Sequence, residues 1–137
     1  MSTETKRRMN PEIRARWTAW LRAHVDQQTR GRLHATRDDD GRSTGFCCLG
    51  GLCELAIEDG VIGRFAGGNE GYQEIYGKFG DTSGSYLPFT VSRWAGLEGA
   101  HDPGVRVEGQ GVVTLSHLND KLKWNFNQIS DIIDEQL

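Results

Sequence analysis

Three cysteines crowd into one ten-residue run, Phe46-Cys47-Cys48-Leu49-Gly50-Gly51-Leu52-Cys53-Glu54-Leu55. Three chemistries are open to that spacing. Zinc needs four nitrogen or sulfur donors, typically in two close pairs. Here the fourth donor must be His24, His34, His101 or His117, and none of these lies in a partner knuckle. A nucleophile is the second reading. Cys47 or Cys48, ahead of a helix that begins near Leu49, would have its thiolate stabilised by unpaired backbone amides and the helix dipole. His34, His101 or His117 would then act as base, with Asn119 or Asp120 as orienter. The third reading is core packing, since free cysteine is among the most buried residue types. Spacing and helical pattern favour this one. Cys47 and Cys48 are adjacent, so a bridge between them would be strained, and an odd count argues against a disulfide framework. Leu49-Gly50-Gly51-Leu52 lacks the Gly-Lys-Ser/Thr ending of a phosphate loop. Its glycines are read instead as allowing close approach of another helix or strand.

Other polar groups compete for attention. Arg30, Arg32 and Arg37 form a basic segment that could face an anion. Asp38-Asp39-Asp40-Gly41 reads as a solvated turn, because the ligand spacing of an EF-hand loop is missing. Tyr86 and Trp94 each carry a polar handle on an apolar body, suited to a core or to stacking a base. In Leu118-Asn119-Asp120, two short hydrogen-bonding side chains sit beside an apolar anchor, as in a helix cap, a turn or a ligand contact.

The elements that must position these groups follow from caps and periodicity. Residues 1–9 are expected as a disordered basic arm. Asn10-Pro11-Glu12 is a helix start, with Asn as cap, Pro at the first helical position and an acid in the first turn. Ile13, Trp17, Trp20, Leu21 and His24 then recur at helical spacing to about Val25. Arg30–His34 is a candidate short strand. Leu49 to Asp59 reads as a second helix, with Leu49, Leu52, Cys53 and Ala56 on one stripe. Val61 to Ser85 is Gly-rich without a clear period, and is expected as loops with a short strand or helical turn. Tyr86-Leu87-Pro88 enters a short helix, Phe89 to Ala95, which Gly96 stops. Val105–Glu108 and Val112–Thr114 flank Gly109-Gln110-Gly111 as a hairpin. Leu115 to Asn119 suggests a helical turn. A last helix begins near Asn125, with Gln128 completing a capping box, and buries Phe126, Ile129, Ile133 and Leu137.

With 137 residues the chain fits one domain, residues 10–137, able to bury a core without staples. Mean hydropathy is −0.56, no apolar run approaches the length of a membrane span, and Met1–Met9 lacks the apolar core of a signal peptide. A cytoplasmic location, with reduced thiols, is expected. Residues 1–37 hold nine basic and three acidic residues, a net of +6, while the remainder holds seven basic and sixteen acidic, a net of −9. Either the two parts pair with each other or the basic part binds an anion. The acidic overall balance and the lack of interleaved aromatics make nucleic acid the weaker choice of partner.

The strings Phe46-Cys47-Cys48-Leu49-Gly50…Leu52-Cys53-Glu54-Leu55, Tyr86-Leu87-Pro88, Trp94-Ala95-Gly96-Leu97 and Leu118-Asn119-Asp120 occur in this order, followed by Phe126, Ile129, Ile132 and Ile133. Together with Asn10-Pro11-Glu12-Ile13, Trp17 and Leu21, the order resembles a family of small bacteriophage-encoded proteins. Gly51 departs from it, standing where a branched apolar residue is expected. The resemblance implies a phage accessory protein in a bacterial host cytoplasm. Such proteins often work by stoichiometric binding, blocking a host or defence protein or sequestering a nucleotide signal. The expectation is therefore a small α+β domain with three main helices and a short antiparallel hairpin or sheet. It needs no cofactor or metal, and its oligomeric state is open. For a small anionic nucleotide, Arg30, Arg32 and Arg37 would take the phosphates, Tyr86 or Trp94 would stack, and Asn119 or Asp120 would read the base. A cysteine-dependent hydrolase or transferase and a zinc-stabilised interaction module are the alternatives.

Overall fold

The computed structural model describes residues 8–29, 34–36, 44–67, 73–78, 81–83 and 86–137. The first helix, α1 (Pro11–Ala23), starts as its sequence dictates. Asn10 Oδ1 accepts the Ile13 amide at 3.0 Å and Pro11 fills the first position. One stripe of α1 buries Ile13, Trp17 and Leu21. Met9, just before the cap, is also buried, and its amide bonds to the Leu137 carbonyl at 2.9 Å. The globular unit thus takes in residue 9, which the sequence had suggested as the end of a loose arm.

Helix α2 (Cys48–Glu58) carries the cysteine run and is the most buried element. It packs against α1, and Gly51 is the reason the two can approach. A Cβ at Gly51 would lie 2.6 Å from Trp20 Cε3, so the indole occupies the space that a branched side chain would need. Trp20 is held there from two sides. Its ring stacks on His24 at 3.9 Å and meets Phe46 edge-on at 5.1 Å. Trp17 lies deeper, fully buried, donating from Nε1 to the Cys48 carbonyl at 2.9 Å.

The Gly-rich middle holds more strand than the single short strand among loops that the sequence suggested. Three strands run through it, β3 (Gly63–Gly67), β4 (Gln73–Lys78) and β5 (Asp81–Ser83). With β1 (His34–Thr36) and β2 (Thr44–Phe46) they form one antiparallel sheet in the order β2-β1-β4-β3, with β5 also on β4. Of the strand expected at Arg30–His34, His34 opens β1 and the other four residues lie outside the described residues. Such strands are set by pairing with distant partners, so a local pattern reveals them poorly.

The last third follows its local signals. Helix α3 (Phe89–Trp94) ends in a Schellman motif, with Leu97 N–H on the Ser92 carbonyl and Gly96 N–H on the Arg93 carbonyl, and Gly96 at φ +82°. The hairpin β6 (Gly104–Val107) and β7 (Gly111–Thr114) pairs Val105 with Val113. A short helix, α4 (Leu115–Asp120), leads to α5 (Phe126–Gln136), whose Asn125/Gln128 capping box is complete at 2.9 Å in both directions. Helix α5 lies along α1, and Phe126, Ile129 and Ile133 join Trp17, Leu21, Leu49 and Leu52 in one core. The architecture is a small α+β domain with three helices longer than two turns.

The charge asymmetry resolves in part into internal pairs. Arg16 meets Asp59 and Glu58 on α2's end, and Arg22 meets Asp131 and Asp134 on α5. The Arg16 guanidinium, through its hydrogen bond, holds the Asp59 carboxyl below its ordinary value.

Candidate functional site

The cysteines stand where a nucleophile would. Cys47 caps α2 and Cys48 is its first residue. Burial decides against reactivity. Cys47 is 3% exposed, and Cys48 and Cys53 are 0%. Loss of hydration pushes the Cys47 thiol up to about 12, outweighing the opposite pull of the Gly50 and Leu49 amides. Cys48 and Cys53 are raised for the same reason, and neighbouring Asp102 and Asp120 raise Cys48 further. The thiol of Cys48 donates to the Leu115 carbonyl at 3.6 Å. Two candidate histidines face carbonyls of the backbone, His24 Nδ1 at Trp20 and His101 Nδ1 at Leu87, both at 2.7 Å. Among the described residues no group of three or more His, Cys, Asp or Glu is placed to hold a metal ion.

Asn119, expected to read a base, is fully buried and engaged at both ends of its amide. Its Oδ1 accepts from Gln28 Nε2 at 2.8 Å and from the Cys48 amide at 3.3 Å. Its Nδ2 donates to the Thr29 carbonyl and to Asp120 Oδ1, both at 2.8 Å. The side chain therefore ties α4 to the start of α2 and to the chain leaving α1. This is structural work, and Asp120 serves it as an acceptor. Asp102 plays a parallel part, accepting from the Ser116 amide at 3.0 Å and from its hydroxyl.

Of the remaining expected site residues, Arg30, Arg32 and Arg37 lie outside the described residues. Trp94, at the end of α3, is half-buried against the core. Tyr86 is 50% exposed at the entry to α3. Tyr86 precedes α3 and Trp94 ends it, while Asn119 and Asp120 end α4, where Asn119 bonds to the first residue of α2.

A different constellation gathers on the outer face of α3. Phe89 and Arg93 are four residues apart and share that face, and the Arg93 guanidinium lies 5.6 Å from the Phe89 ring centroid. Phe89 is 46% exposed. The chain before α1 crosses the end of α3, with Asn10 N–H on the Ala95 carbonyl at 2.9 Å. Gly96 permits the crossing, since a Cβ there would stand 2.8 Å from the Asn10 nitrogen. The crossing brings in Arg8, anchored by one hydrogen bond to the Asp134 carbonyl at 2.8 Å.

The wall is completed by Glu98, in left-handed backbone at φ +60°. That conformation costs a residue with a Cβ about 1 kcal/mol or more. Gly99 beside it, at φ +86°, lets the Phe89 ring approach closely, since a Cβ there would stand 2.8 Å from Phe89 Cε1. Arg8, Phe89, Arg93, Gly96 and Glu98 surround an open hollow of about 510 Å³. A smaller one of about 190 Å³, lined in part by Met9, Leu97 and Pro103, adjoins it across Glu98. Among the described residues, neither Arg8 nor Arg93 pairs with a carboxylate.

The sequence held one signal for this face, the exposed spacing of Phe89 and Arg93. Arg8 escaped notice because it belonged to the supposed arm. No described helix is long and apolar enough to cross a membrane. Neither curated proteins nor solved structures give a match to the chain. Residues 9–137 match the family described as Domain of unknown function (DUF8296), and the chain belongs to that family.

Proposed function

We propose that this protein acts by stoichiometric binding of an anionic partner and not by turnover, with the outer face of α3 as its binding surface. The observation that carries the reading is the convergence of Arg8, Arg93 and the exposed Phe89 on one open hollow. Its volume lies within the usual range for small-molecule sites. Arginine presents a planar fork of donors suited to carboxylate and phosphate. The buried, hard-to-ionise cysteines supply no opposing case for nucleophilic catalysis. The resemblance to phage-encoded proteins supports an accessory role in the host cytoplasm, as counter-defence by sequestering a nucleotide signal or blocking a host protein.

A thermal-shift panel tests the reading, with nucleotides (cyclic dinucleotides and ADP-ribose derivatives included) and acidic peptides. Affinity capture from bacterial lysate runs alongside it. The expected result is a ligand that raises Tm with wild-type protein and loses its effect with Arg93→Ala. No shift with any member, and a captured set unchanged by Arg93→Ala, would overturn it.

A further inference from the structure

We infer that the α3 hollow holds a phosphate monoester as its dianion, gripped between Arg8 and Arg93. This rests on the binding role proposed above and names the group bound. Both arginines start beside one glycine. Gly96 N–H bonds the Arg93 carbonyl at 3.1 Å, and a Cβ at Gly96 would lie 3.2 Å from the Cα of Met9, the neighbour of Arg8. The two side chains line the same hollow of about 510 Å³. Two like charges so placed repel each other. Among the described residues neither is answered by a carboxylate, and Glu98, in the same wall, pairs with neither of them.

Each arginine is instead steadied by a contact that leaves its charge in place. Arg8 donates one N–H to the Asp134 carbonyl at 2.8 Å. Arg93 lies over the Phe89 ring, 5.6 Å from its centroid. A cation over a ring is held by the ring's quadrupole and uses no particular N–H bond. A guanidinium has five N–H donors, so both forks keep donors for a ligand. Phe89 and Glu98 are engaged already and hold no part of it; Phe89 serves as the seat of Arg93.

Two separate forks select the anion. A carboxylate has two oxygens in one plane and suits a single fork. A phosphodiester has two terminal oxygens and one charge. A phosphate monoester presents three terminal oxygens in a tetrahedral arrangement and nearly two charges at neutral pH. It can meet both arginines at once with charge-assisted bonds. Phosphate alone would fill a small part of the hollow, so the group enters carrying the molecule it is esterified to.

Calorimetric titration of the full chain with phenyl phosphate, phenyl sulfate, methyl phenyl phosphate and benzoate tests this, since the four share one ring and differ in the anionic group. At pH 7.5 phenyl phosphate is expected to bind at least about tenfold more tightly than the others. Its lead over phenyl sulfate should shrink to about threefold or less at pH 5, where the phosphate carries one charge and the arginines keep theirs. Arg8→Ala and Arg93→Ala should each weaken it about tenfold, with partial recovery in Arg93→Lys. Lys123→Ala, which removes one charge outside both hollows, should leave it unchanged. Thermal melts of each variant confirm folding. AMP and a neutral phosphoserine peptide separate the two sources of the group, and each ligand that binds should lose its affinity when dephosphorylated.

Diester, sulfate or carboxylate bound as tightly as the monoester overturns the assignment. So does a monoester affinity that ignores pH or survives loss of either arginine. Binding of those other anions that still depends on Arg93, or capture of an acidic partner that depends on Arg93 without any monoester bound, would then leave the binding role standing. Failure of every ligand, with capture unchanged by Arg93→Ala, removes both.

Discussion

Replacing Asn119 by Asp changes one NH2 group to an oxygen, with almost no change of shape, at the most connected polar side chain among the described residues. Nδ2 now donates at 2.8 Å to the Thr29 carbonyl and to Asp120 Oδ1. The substitution sets oxygen against oxygen at both contacts and places an ionisable group at a site with no exposed surface. Each broken bond that leaves a buried partner unpaired costs about 1–3 kcal/mol. Removing one side of a buried charged arrangement costs about 3–5 kcal/mol. Asn119→Asp should therefore destabilise the fold by about 3–5 kcal/mol near neutral pH, a large share of the total for a domain of this size.

The pH dependence has a definite sign. Burial without a cation raises the folded pKa of the introduced carboxyl above its unfolded value of about 3.9. The penalty relative to wild type is thus smallest below that unfolded value and grows as pH rises through the folded one. Asn119→Ala removes the same hydrogen bonds but introduces no buried charge, so its penalty relative to wild type should vary with pH less than that of Asn119→Asp. Urea unfolding followed by tryptophan fluorescence, at a series of pH values, measures both. A loss below about 1 kcal/mol for Asn119→Asp would refute the hub, as would equal pH profiles for the two variants.

Gly51→Ala should destabilise by about 1–3 kcal/mol through overpacking against Trp20, despite alanine's better helix propensity. The penalty should vanish in a Trp20→Ala background, and a double-mutant cycle without coupling would contradict it. All three thiols should resist alkylation at neutral pH until denaturant is added, given their burial and the upward shift of Cys47 to about 12. Fast labelling of any one of them in native protein would refute this. Arg16→Met should lower stability slightly near neutral pH. Asp59 is held below its ordinary value, so the stabilisation is present above the unfolded pKa and is lost as pH falls through the folded one. Wild type and variant should therefore converge in acid, which thermal melts along a pH series can follow.

Elements with local punctuation were legible in the sequence to within two residues or so at each end. Asn10-Pro11, Gly96 and Asn125/Gln128 mark helix ends by side-chain or backbone bonds to residues three or four positions away. The hairpin around Gly109-Gln110-Gly111 is equally local, with Gly109 and Gly111 both at positive φ. The placement of the cysteines at the start of α2, and the close approach allowed by Gly51, were legible in the same way.

The strands between Gly63 and Ser83 were not, because their order depends on partners far along the chain. Asn119 looked like a ligand contact because its type says only that it can bond, not with what. Tertiary structure supplies Gln28, Thr29 and Cys48, from as far as 91 residues away. The same holds for the cysteines and for the α3 face. A helix N-terminus lowers a thiol's pKa and burial raises it, and only packing shows that burial wins here. Phe89 and Arg93 declare themselves within one helix. Arg8 joins them only because Gly96 lets the chain cross, a contact that no local pattern encodes.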